Sequence, residues 1–387
     1  MKFPDYQGGG IINLLSSLIT GLGGEPNGYP PLGALSSAQV GAYRNIVLIV
    51  VDGLGYEFVI RRALGGFLRK HLQGCMTSVF PSTTATAITS FLTGLAPQQH
   101  GLTGWHMYFK ELGAVLSVLP GVPRYGGVPL GKSGVDVEAF FGHVPIFDRV
   151  PVPCYVVSPR RIAYSDFNLA HQGSAELRHF DTLEDFFGVI LQTLRKKAVR
   201  KFIYAYWPEL DRIGHEHGCS SPDAGSHLAE LEDAFEAFSE NIAGTDTLLI
   251  VTADHGQIDT SEDRIIELDD HPELKDCLIL PLCGERRAAY CYVKPGEARR
   301  FERYVQDGLS RFLDMHPSRE LLASGCFGSG SPHPRLIERI GDYTLIMKEN
   351  YVIKDWLPGE RQYRQIGVHG GMSPEEMSVP LIVAAAD

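Results

Sequence analysis

The chain has 387 residues, of which 44% are apolar and 21% are charged, a composition typical of a globular protein with a large buried core. Its 46 acidic residues outnumber the 35 basic residues, which gives a net charge of −11 at pH 7. This charge argues against an extended basic surface for a nucleic acid duplex and against attraction to an anionic membrane.

The seven cysteines are scattered along the chain, and no two of them form a Cys-x-x-Cys motif. In a chain of this length, an odd number of dispersed cysteines predicts reduced thiols rather than a disulfide framework. The first ten residues, MKFPDYQGGG, are polar, and the apolar segment IINLLSSLI that follows is too short to span a bilayer. We therefore expect a cytoplasmic protein without a membrane partner, in which IINLLSSLI forms a short docked helix.

Strand-like and helix-like segments alternate from residue 45 onward. The first strand is predicted at NIVLIVVDGLG, where the apolar run from Ile46 to Val51 ends at Asp52. Further strands are predicted near CMTSVF, VPCYVVS, RKFIYAYW, DTLLIVT and SVPLIVAA. Helices are predicted between them at EFVIRRALGGFLRKHL, ITSFLTG, TLEDFFGVILQTLRKKA and SHLAELEDAFEAFSENIA. This alternation predicts an α/β fold with a doubly wound, mostly parallel sheet under helices.

Between Gly256 and Gly370 the strand signals are weaker and the chain is more polar. RAAYCYVK and DYTLIMK are candidate strands there, and EARRFERYVQDGLSRFL is a candidate helix. We interpret this part as a smaller inserted cap. The predicted organisation is a first core segment over residues 1–258, a cap over 259–365 and a closing core segment over 366–387.

Polar residues stand at or just after the ends of the predicted strands. They are Asp52, the hydroxyl residues 82–84, Asp211 with His215, Asp254 with His255, and His369. In parallel sheets, ligands bind at the carboxyl ends of the strands. A single aspartate at such a position is typical of a turn or a helix cap, but several strand ends of this kind predict a shared site.

The residue types indicate which ligand this site binds. Imidazole and carboxylate groups without a thiolate favour zinc, with manganese as an alternative, over calcium. Three aspartates, three histidines and one hydroxyl exceed the four ligands of a single zinc ion, so we infer two divalent ions. Two such ions suit phosphoryl transfer, in which a hydroxyl among residues 82–84 is the nucleophile.

Five segments resemble the alkaline phosphatase superfamily, and most closely its type I phosphodiesterase/nucleotide pyrophosphatase family. They are NIVLIVVDGLG, FPSTTATAITSFLTGLAPQQHGLTGW, YWPELDRIGHEHG, VTADHGQ and HGGMSPEEMSVPLIV. Their order and spacing match that family over the whole core. The resemblance implies an α/β/α sandwich, two zinc ions and a covalent phospho-threonine or phospho-serine intermediate.

The resemblance also implies a role for each motif residue. It assigns one ion to Asp211, His215 and His369, and the other to Asp52, Asp254, His255 and the nucleophile. The nucleophile of the family follows F-P-S-x, which makes it Thr84 here. By the same alignment Thr83 is a neighbour that points elsewhere, and Ser82 is a helix cap.

One departure from the family concerns the substrate. Nucleotide-cleaving members carry an asparagine three residues after the nucleophile, where this chain has Ala87. The primary hypothesis is a two-metal hydrolase that cleaves phosphodiester or pyrophosphate bonds of small nucleotide-like substrates. A phosphomonoesterase or phosphonate hydrolase with the same machinery is the alternative. A catalytically silent metal-binding protein is a third hypothesis, against which the complete set of ligands argues.

Overall fold

Two seven-stranded sheets dominate the computed structural model, which describes residues 1–196, 199–360 and 362–386. The strands of the described residues are β1 (Asn45–Val51), β2 (Leu72–Thr77), β3 (His106–Phe109), β4 (Ala114–Ser117), β5 (Val122–Pro123), β6 (Cys154–Pro159), β7 (Glu176–Phe180), β8 (Lys201–Trp207), β9 (Thr247–Thr252), β10 (Ile258–Asp259), β11 (Ile265–Glu267), β12 (Cys283–Gly284), β13 (Ala288–Cys291), β14 (Leu313–Pro317), β15 (Tyr343–Met347), β16 (Val352–Lys354), β17 (Gly367–Val368) and β18 (Ser378–Ala386).

The helices lie mostly between these strands. They are α1 (Ile11–Gly21), α2 (Ser37–Gly41), α3 (Tyr56–Arg62), α4 (Phe67–Lys70), α5 (Thr84–Thr93), α6 (Pro97–His100), α7 (Val137–Phe141), α8 (Arg160–Ala163), α9 (Asp166–Ala170), α10 (Leu183–Arg195), α11 (Glu209–His217), α12 (Pro222–Asn241), α13 (Pro272–Asp276), α14 (Ala298–Tyr304), α15 (Ser318–Ala323), α16 (Leu336–Arg339) and α17 (Pro374–Met377). Shorter turns of 3-10 helix occupy Leu130–Ser133, Ile146–Asp148, Glu262–Arg264 and Leu268–Asp270, and a π-helical turn occupies Val305–Leu309.

One of the two sheets has longer strands and is called the larger sheet below. Its strand order is β2-β18-β9-β1-β8-β6-β7. Strands β9, β1, β8, β6 and β7 pair in parallel, and β18 runs antiparallel to both β9 and β2. The predicted α/β fold with a mostly parallel sheet is therefore confirmed. Strand β1 lies between β8 and β9 and is buried along its whole length, as its continuous apolar sequence predicts. The carboxyl ends of these three strands consequently lie side by side.

Helix α1 is the predicted docked helix. Its apolar residues are all buried, and Asn13 uses its amide to donate hydrogen bonds to the carbonyls of Tyr6 and Pro30. Burial of this helix in the protein core accounts for its apolar sequence, although the helix is too short to span a bilayer. In the part of the chain that the structure describes, no helix has both the length and the apolarity needed to cross a membrane.

The smaller sheet is antiparallel and has the order β14-β15-β13-β12-β3-β4-β5. Four of its strands come from residues 283–347, which lie inside the predicted cap. The other three come from residues 106–123, much earlier in the chain, and β3 pairs with β12 through His106 and Gly284. The bounds proposed for the cap stay a prediction.

Two local predictions differ from the structure. EFVIRRALGGFLRKHL was predicted as one helix, which is wrong, because the chain forms the short helices α3 and α4 with Gly65 and Gly66 between them. Gly65 has φ = +90°, a conformation that interrupts a right-handed helix and that glycine adopts without steric cost. Strand β7 was not predicted, because its sequence, ELRHF, is half polar and lies at the edge of the sheet.

The seven cysteines are free thiols in the structure. Burial raises the pKa of the thiols of Cys154, Cys283 and Cys326 to about 12 in each case. Because the thiolate is the reactive form, these side chains act as small apolar core residues rather than as nucleophiles.

A buried ion pair joins the two sheets. Arg287, directly before β13, donates from Nη2 to Glu376 Oε2 at 2.7 Å and from Nε to Oε1 at 3.0 Å. Glu376 lies in α17, and the two side chains are 1% and 0% exposed. Burial by itself would raise the pKa of Glu376, but the guanidinium of Arg287 outweighs this effect and lowers that pKa below its ordinary value.

We expect Glu376→Ala to lower the free energy of unfolding by about 3–5 kcal/mol, because it leaves the Arg287 charge buried without a partner. Urea unfolding monitored by circular dichroism measures this change. The matched control is Glu236→Ala, which removes an exposed ion pair with Lys70 and should cost less than about 1 kcal/mol. The stabilisation by Glu376 is present at neutral pH and is lost as the pH falls through its depressed folded-state pKa. Equal effects of the two variants at pH 7 would contradict the prediction.

Candidate active site

The predicted site residues lie at the carboxyl edge of the larger sheet. Asp52 directly follows β1, and its amide donates to the carbonyl of Trp207 at the end of β8. Asp254 and His255 follow β9, and helix α11 carries Asp211 just beyond β8. Because these strands are parallel neighbours, residues far apart in sequence reach one edge.

The first group of side chains surrounds Nε2 of His255. This atom lies 3.0 Å from Thr84 Oγ1, 3.3 Å from Asp52 Oδ1 and 3.4 Å from Asp254 Oδ2. All four side chains are nearly or fully buried. The structure therefore brings together the four residues assigned by the resemblance to one ion.

The second group consists of Asp211, His215 and His369. Asp211 Oδ2 lies 3.2 Å from His215 Nε2, one turn further along α11, and Oδ1 lies 3.7 Å from His369 Nε2. The Nε2 atoms of the two histidines are 3.3 Å apart. The His369 ring also stacks on that of His255, with 3.7 Å between the ring centres, so the two groups form one continuous cluster.

Hydrogen bonds to the backbone orient all three imidazole rings toward the centre of this cluster. Nδ1 of His215 faces the carbonyl of Gly367 at 2.7 Å, Nδ1 of His255 faces Gly256 O at 3.1 Å, and Nδ1 of His369 faces Ser82 O at 3.3 Å. Each carbonyl accepts a hydrogen bond from Nδ1–H, which leaves the lone pair of each Nε2 available. Imidazoles that bind metal ions are oriented in this way.

The buried carboxylates supply the second indication of a cation site. Burial and the nearby Asp254 carboxylate raise the pKa of Asp52 well above its ordinary value, and burial also raises the pKa of Asp254. Among the described residues, Asp52 Oδ1 and Asp254 Oδ2 have no hydrogen-bond partner. Burial and the neighbouring His255 lower the pKa of His369, which favours the neutral imidazole that a metal requires.

The spacing of the ligand atoms agrees with this interpretation. Ligand atoms of Asp52, Asp254 and His255 lie within 4.8 Å of one another, and so do those of Asp211, His255 and His369. The donors are nitrogen and oxygen atoms without sulfur, a set that suits zinc or manganese. The residues present therefore fit divalent ions, and the role of each residue as a ligand stays a prediction.

Three consecutive hydroxyl residues at the start of α5 point in different directions. Thr84, the first residue of the helix, faces His255, whereas Thr83 donates from Oγ1 to Glu285 Oε1 at 2.7 Å. Ser82 donates to the carbonyl of Gly371 at 2.8 Å. The expectation that Ser82 caps the helix is therefore wrong: Thr83 occupies the N-cap position, and its side chain makes no capping hydrogen bond.

Three further residues of the site were not predicted. Tyr206 donates its hydroxyl to Asp52 Oδ2, Gln257 donates its amide to Asp211 Oδ1, and Glu285 accepts from Thr83 and from the amide of Trp105. Tyr206 and Gln257 each lie within five residues of a predicted ligand, so proximity in the sequence was an available signal. Glu285 comes from the smaller sheet, 202 residues after Thr83, and no local pattern marks it. Burial raises the pKa of Glu285 to about 7.

A cavity of about 460 Å³ opens beside the second group. Its lining includes Thr84, His215 and His369 together with Arg286, Trp356 and Tyr363. The guanidinium carbon of Arg286 lies 5.4 Å from the ring centre of Trp356 and 4.8 Å from that of Tyr363. Among the described residues, this guanidinium has no hydrogen-bond or ion-pair partner. It is therefore a positive charge, held by two aromatic rings, with its donors available to a ligand.

Comparison with known sequences gives two matches. The model of the family described as type I phosphodiesterase/nucleotide pyrophosphatase matches residues 46–372, a range that includes all seven predicted ligands. Human ectonucleotide pyrophosphatase/phosphodiesterase family member 5 is 30% identical over 122 residues. That second match spans 28% of this chain and 26% of the length of the human protein.

Solved structures with similar folds include ectonucleotide pyrophosphatase/phosphodiesterase 5 and phosphonoacetate hydrolase. Murine ectonucleotide pyrophosphatase/phosphodiesterase 5 has a TM-score of 0.67 at 18% identity, and the match covers 87% of each chain. An inactive form of that murine protein in complex with AMP has a TM-score of 0.65 at 19% identity and covers 87% of each chain. Phosphonoacetate hydrolase from Sinorhizobium meliloti 1021, in complex with phosphonoformate, has a TM-score of 0.62 at 18% identity and covers 88% of this chain and 90% of that one. At these identities the structural likeness establishes the fold.

Proposed function

This chain belongs to the type I phosphodiesterase/nucleotide pyrophosphatase family, and from that premise we propose that it is a metal-dependent hydrolase that transfers a phosphoryl group to Thr84. The observation that carries the proposal is the position of Thr84 Oγ1. It lies 3.0 Å from His255 Nε2, beside two buried carboxylates, at the first residue of a ten-residue helix. A hydroxyl in these surroundings has the role of a nucleophile rather than of a helix cap.

Two sets of residues would hold the metal ions that the family uses. Asp211, His215 and His369 form one set, and Asp52, Asp254 and His255 form the other together with Thr84 Oγ1. When bound, divalent ions neutralise phosphoryl oxygens and lower the pKa of an adjacent hydroxyl. Zinc is our first candidate and manganese the second, because the donors are imidazole and carboxylate groups.

The residues of the chain then act in two steps. In the first, Thr84 Oγ1 forms a bond to phosphorus, the bond from phosphorus to the leaving oxygen breaks with its electron pair, and the hydroxyl proton passes to solvent. In the second, a water oxygen bonds to phosphorus, and Thr84 leaves and regains a proton. The backbone amides at the start of α5 would favour the negative charge of a phosphoryl group bound at Thr84.

The bond that is cleaved separates the primary proposal from its alternative. We propose that the substrate is a phosphodiester or pyrophosphate rather than a phosphomonoester. Turnover of bis-p-nitrophenyl phosphate should therefore exceed turnover of p-nitrophenyl phosphate under the same conditions. Faster cleavage of the monoester would favour the phosphomonoesterase alternative, and no turnover of either by metal-loaded protein would contradict both.

The narrower expectation of a nucleotide-like substrate has one argument for it and one against. The complex of the murine relative with AMP supports it, whereas Ala87 removes the asparagine that nucleotide-cleaving members carry. A phosphonate substrate is the second candidate. The fold shared with phosphonoacetate hydrolase supports it. So does the guanidinium of Arg286, which has no ion-pair partner among the described residues and suits a second anionic group.

We expect Arg286→Ala to raise the KM for P1,P2-diphenyl pyrophosphate about tenfold, because a hydrogen bond to a charged group is lost. The KM for bis-p-nitrophenyl phosphate, which has no second anionic group, should change much less. Steady-state kinetics with both substrates test this difference. Arg299→Ala removes an exposed arginine on α14 and serves as the control. A similar change of KM for both substrates would contradict a role for Arg286 in binding a second anion.

A further inference from the structure

A second cavity, of about 470 Å³, also opens at Thr84. Asp52, Thr84 and Asp211 line its inner end, so it is continuous with the proposed reaction site. Most of its wall is aliphatic or aromatic and includes Ile88, Leu92, Leu119, Ile162, Phe167 and Leu177. This cavity therefore differs in character from the one that Arg286 lines.

The helix that carries the nucleophile also forms one wall of this second cavity. Thr84, Ile88 and Leu92 are spaced four residues apart, which places them on one face of α5. Ile88 is 6% exposed and Leu92 is 4% exposed, and both line the cavity. An apolar surface thus begins at the reacting hydroxyl and continues for two helical turns.

Most polar groups of the same wall already have partners within the protein. The Asn168 amide donates to the carbonyl of Ile162 at 2.7 Å, and the Gln172 amide donates to that of Ala175 at 2.8 Å. His171 uses both ring nitrogens, with Phe167 O at 2.7 Å and with His143 at 2.8 Å.

Two arginines and several hydroxyl groups also line this wall, beside the site residues Asp52 and Asp211. Arg161 and Arg212 both donate to Glu209, each at 2.7 Å. The Tyr204 hydroxyl is the one uncharged buried group of this lining without a partner among the described residues. The wall consequently offers a ligand mainly hydrocarbon surface.

The arrangement of the two cavities indicates which part of a phosphodiester each one receives. Both cavities are lined by Thr84, Asp211 and His215, but His369 lines only the first, and Asp52, a carboxylate grouped with Thr84, lines only the second. In in-line attack, the leaving oxygen departs on the side of phosphorus opposite to Thr84. It is therefore directed away from the residues grouped with Thr84 and toward the first cavity. The ester arm that stays on phosphorus is then directed to the second cavity.

We propose that the substrate is a phosphodiester whose retained arm is a hydrocarbon group, alkyl or aryl, that lies in this second cavity. The inference rests on the proposed function, since it presupposes attack by Thr84. It also accounts for Ala87: an arm without polar groups does not need the amide of an asparagine one turn from the nucleophile. A nucleoside arm would leave its ribose hydroxyls without hydrogen-bond partners against this wall.

A series of alkyl p-nitrophenyl phosphates tests the proposal with one constant leaving group. The methyl, butyl and hexyl esters and thymidine 5′-(p-nitrophenyl phosphate) would be compared by kcat/KM with metal-loaded protein. Each buried methylene should raise kcat/KM about threefold to fourfold, so the five methylenes that separate the methyl and hexyl esters should raise it roughly 240-fold to 1,000-fold. The hexyl ester should also exceed the thymidine ester.

Two outcomes would overturn the inference: equal kcat/KM across the alkyl series, or a thymidine ester that is faster than the hexyl ester. If turnover still depends on Thr84, either result leaves the proposed function intact. The absence of turnover of every ester by metal-loaded protein would instead contradict the proposed function itself. The two failures are therefore distinguishable.

Variants of the wall make the assignment to this cavity specific. Leu92→Asn should lower the ratio of hexyl to methyl kcat/KM about tenfold, because it places an amide along the hydrocarbon arm. Leu119→Trp reduces the space in the cavity and should lower the same ratio. Because the Leu119 side chain is only partly buried, this variant tests the cavity even if Leu92→Asn does not fold. Leu64→Asn, at a side chain that is 85% exposed, should keep the wild-type ratio. A wild-type ratio in Leu119→Trp would contradict the proposed location.

Discussion

Replacement of Thr84 by alanine is expected to reduce phosphodiester hydrolysis by about four orders of magnitude or more, because the attacking oxygen is lost. Metal content should stay near the wild-type value, since Asp52, Asp254 and His255 remain to hold the ion beside it. Thr84→Ser should retain activity, because the hydroxyl survives and only a methyl group that restricts its rotamer is removed. Steady-state turnover of bis-p-nitrophenyl phosphate, together with elemental analysis of each variant, measures these effects.

Thr83→Ala is the matched control for this prediction. Thr83 Oγ1 donates to Glu285 and does not face His255, so its loss should cost far less activity than the loss of the Thr84 hydroxyl. If Thr84→Ala kept wild-type turnover and Thr83→Ala were inactive, the nucleophile would be assigned one residue too late. If both variants were fully active with metal bound, water would attack phosphorus directly, and the covalent mechanism would be wrong.

Removal of the metal ions is the change with the second large expected effect. We expect two divalent ions per chain, and a chelator should abolish activity and lower the melting temperature. The physical reason is electrostatic: without cations, Asp52 and Asp254 lie buried near each other with one unpartnered oxygen apiece. A ligand that binds only the folded state stabilises it, and its removal reverses that effect.

Elemental analysis and thermal unfolding before and after chelation test this expectation. Asp52→Asn should lose about one ion per chain, whereas Glu240→Gln, an exposed acidic residue at the end of α12, should retain both. Restored activity on addition of zinc or manganese would identify the ion that the site uses. Active protein that contains one ion or none would contradict the two-ion proposal.

The local sequence determined the main sheet and the position of the site for a physical reason. A run such as Ile46 to Val51 buries all its side chains only if both faces of the strand are covered, which is the environment of a parallel strand between layers of helices. Residues that end such strands share one edge, so Asp52 and Asp254 could be placed together although 202 residues separate them in the chain. The role of each residue came from the resemblance of the motifs to a family.

The break between α3 and α4 and the edge strand β7 were missed because their local patterns mislead. The apolar spacing across ALGGF resembles a helix, yet two glycines permit a turn there, and Gly65 has φ = +90°. The polar residues of β7 carry no alternating pattern, and its pairing with β6 gives it the strand conformation. The glycines account for the first outcome, and pairing with the neighbouring strand accounts for the second.

The sequence by itself determined which ligand-type residues stand at the strand ends, because residue chemistry and strand-end position are properties of short segments. The tertiary structure alone showed what holds Thr83 away from the cluster, since its hydroxyl donates to Glu285, which lies between two strands of the other sheet. It alone also decided that an apolar cavity and a cavity with Arg286 meet at Thr84. A cavity is formed by side chains from many segments, and their relative positions depend on long-range packing that no local pattern encodes.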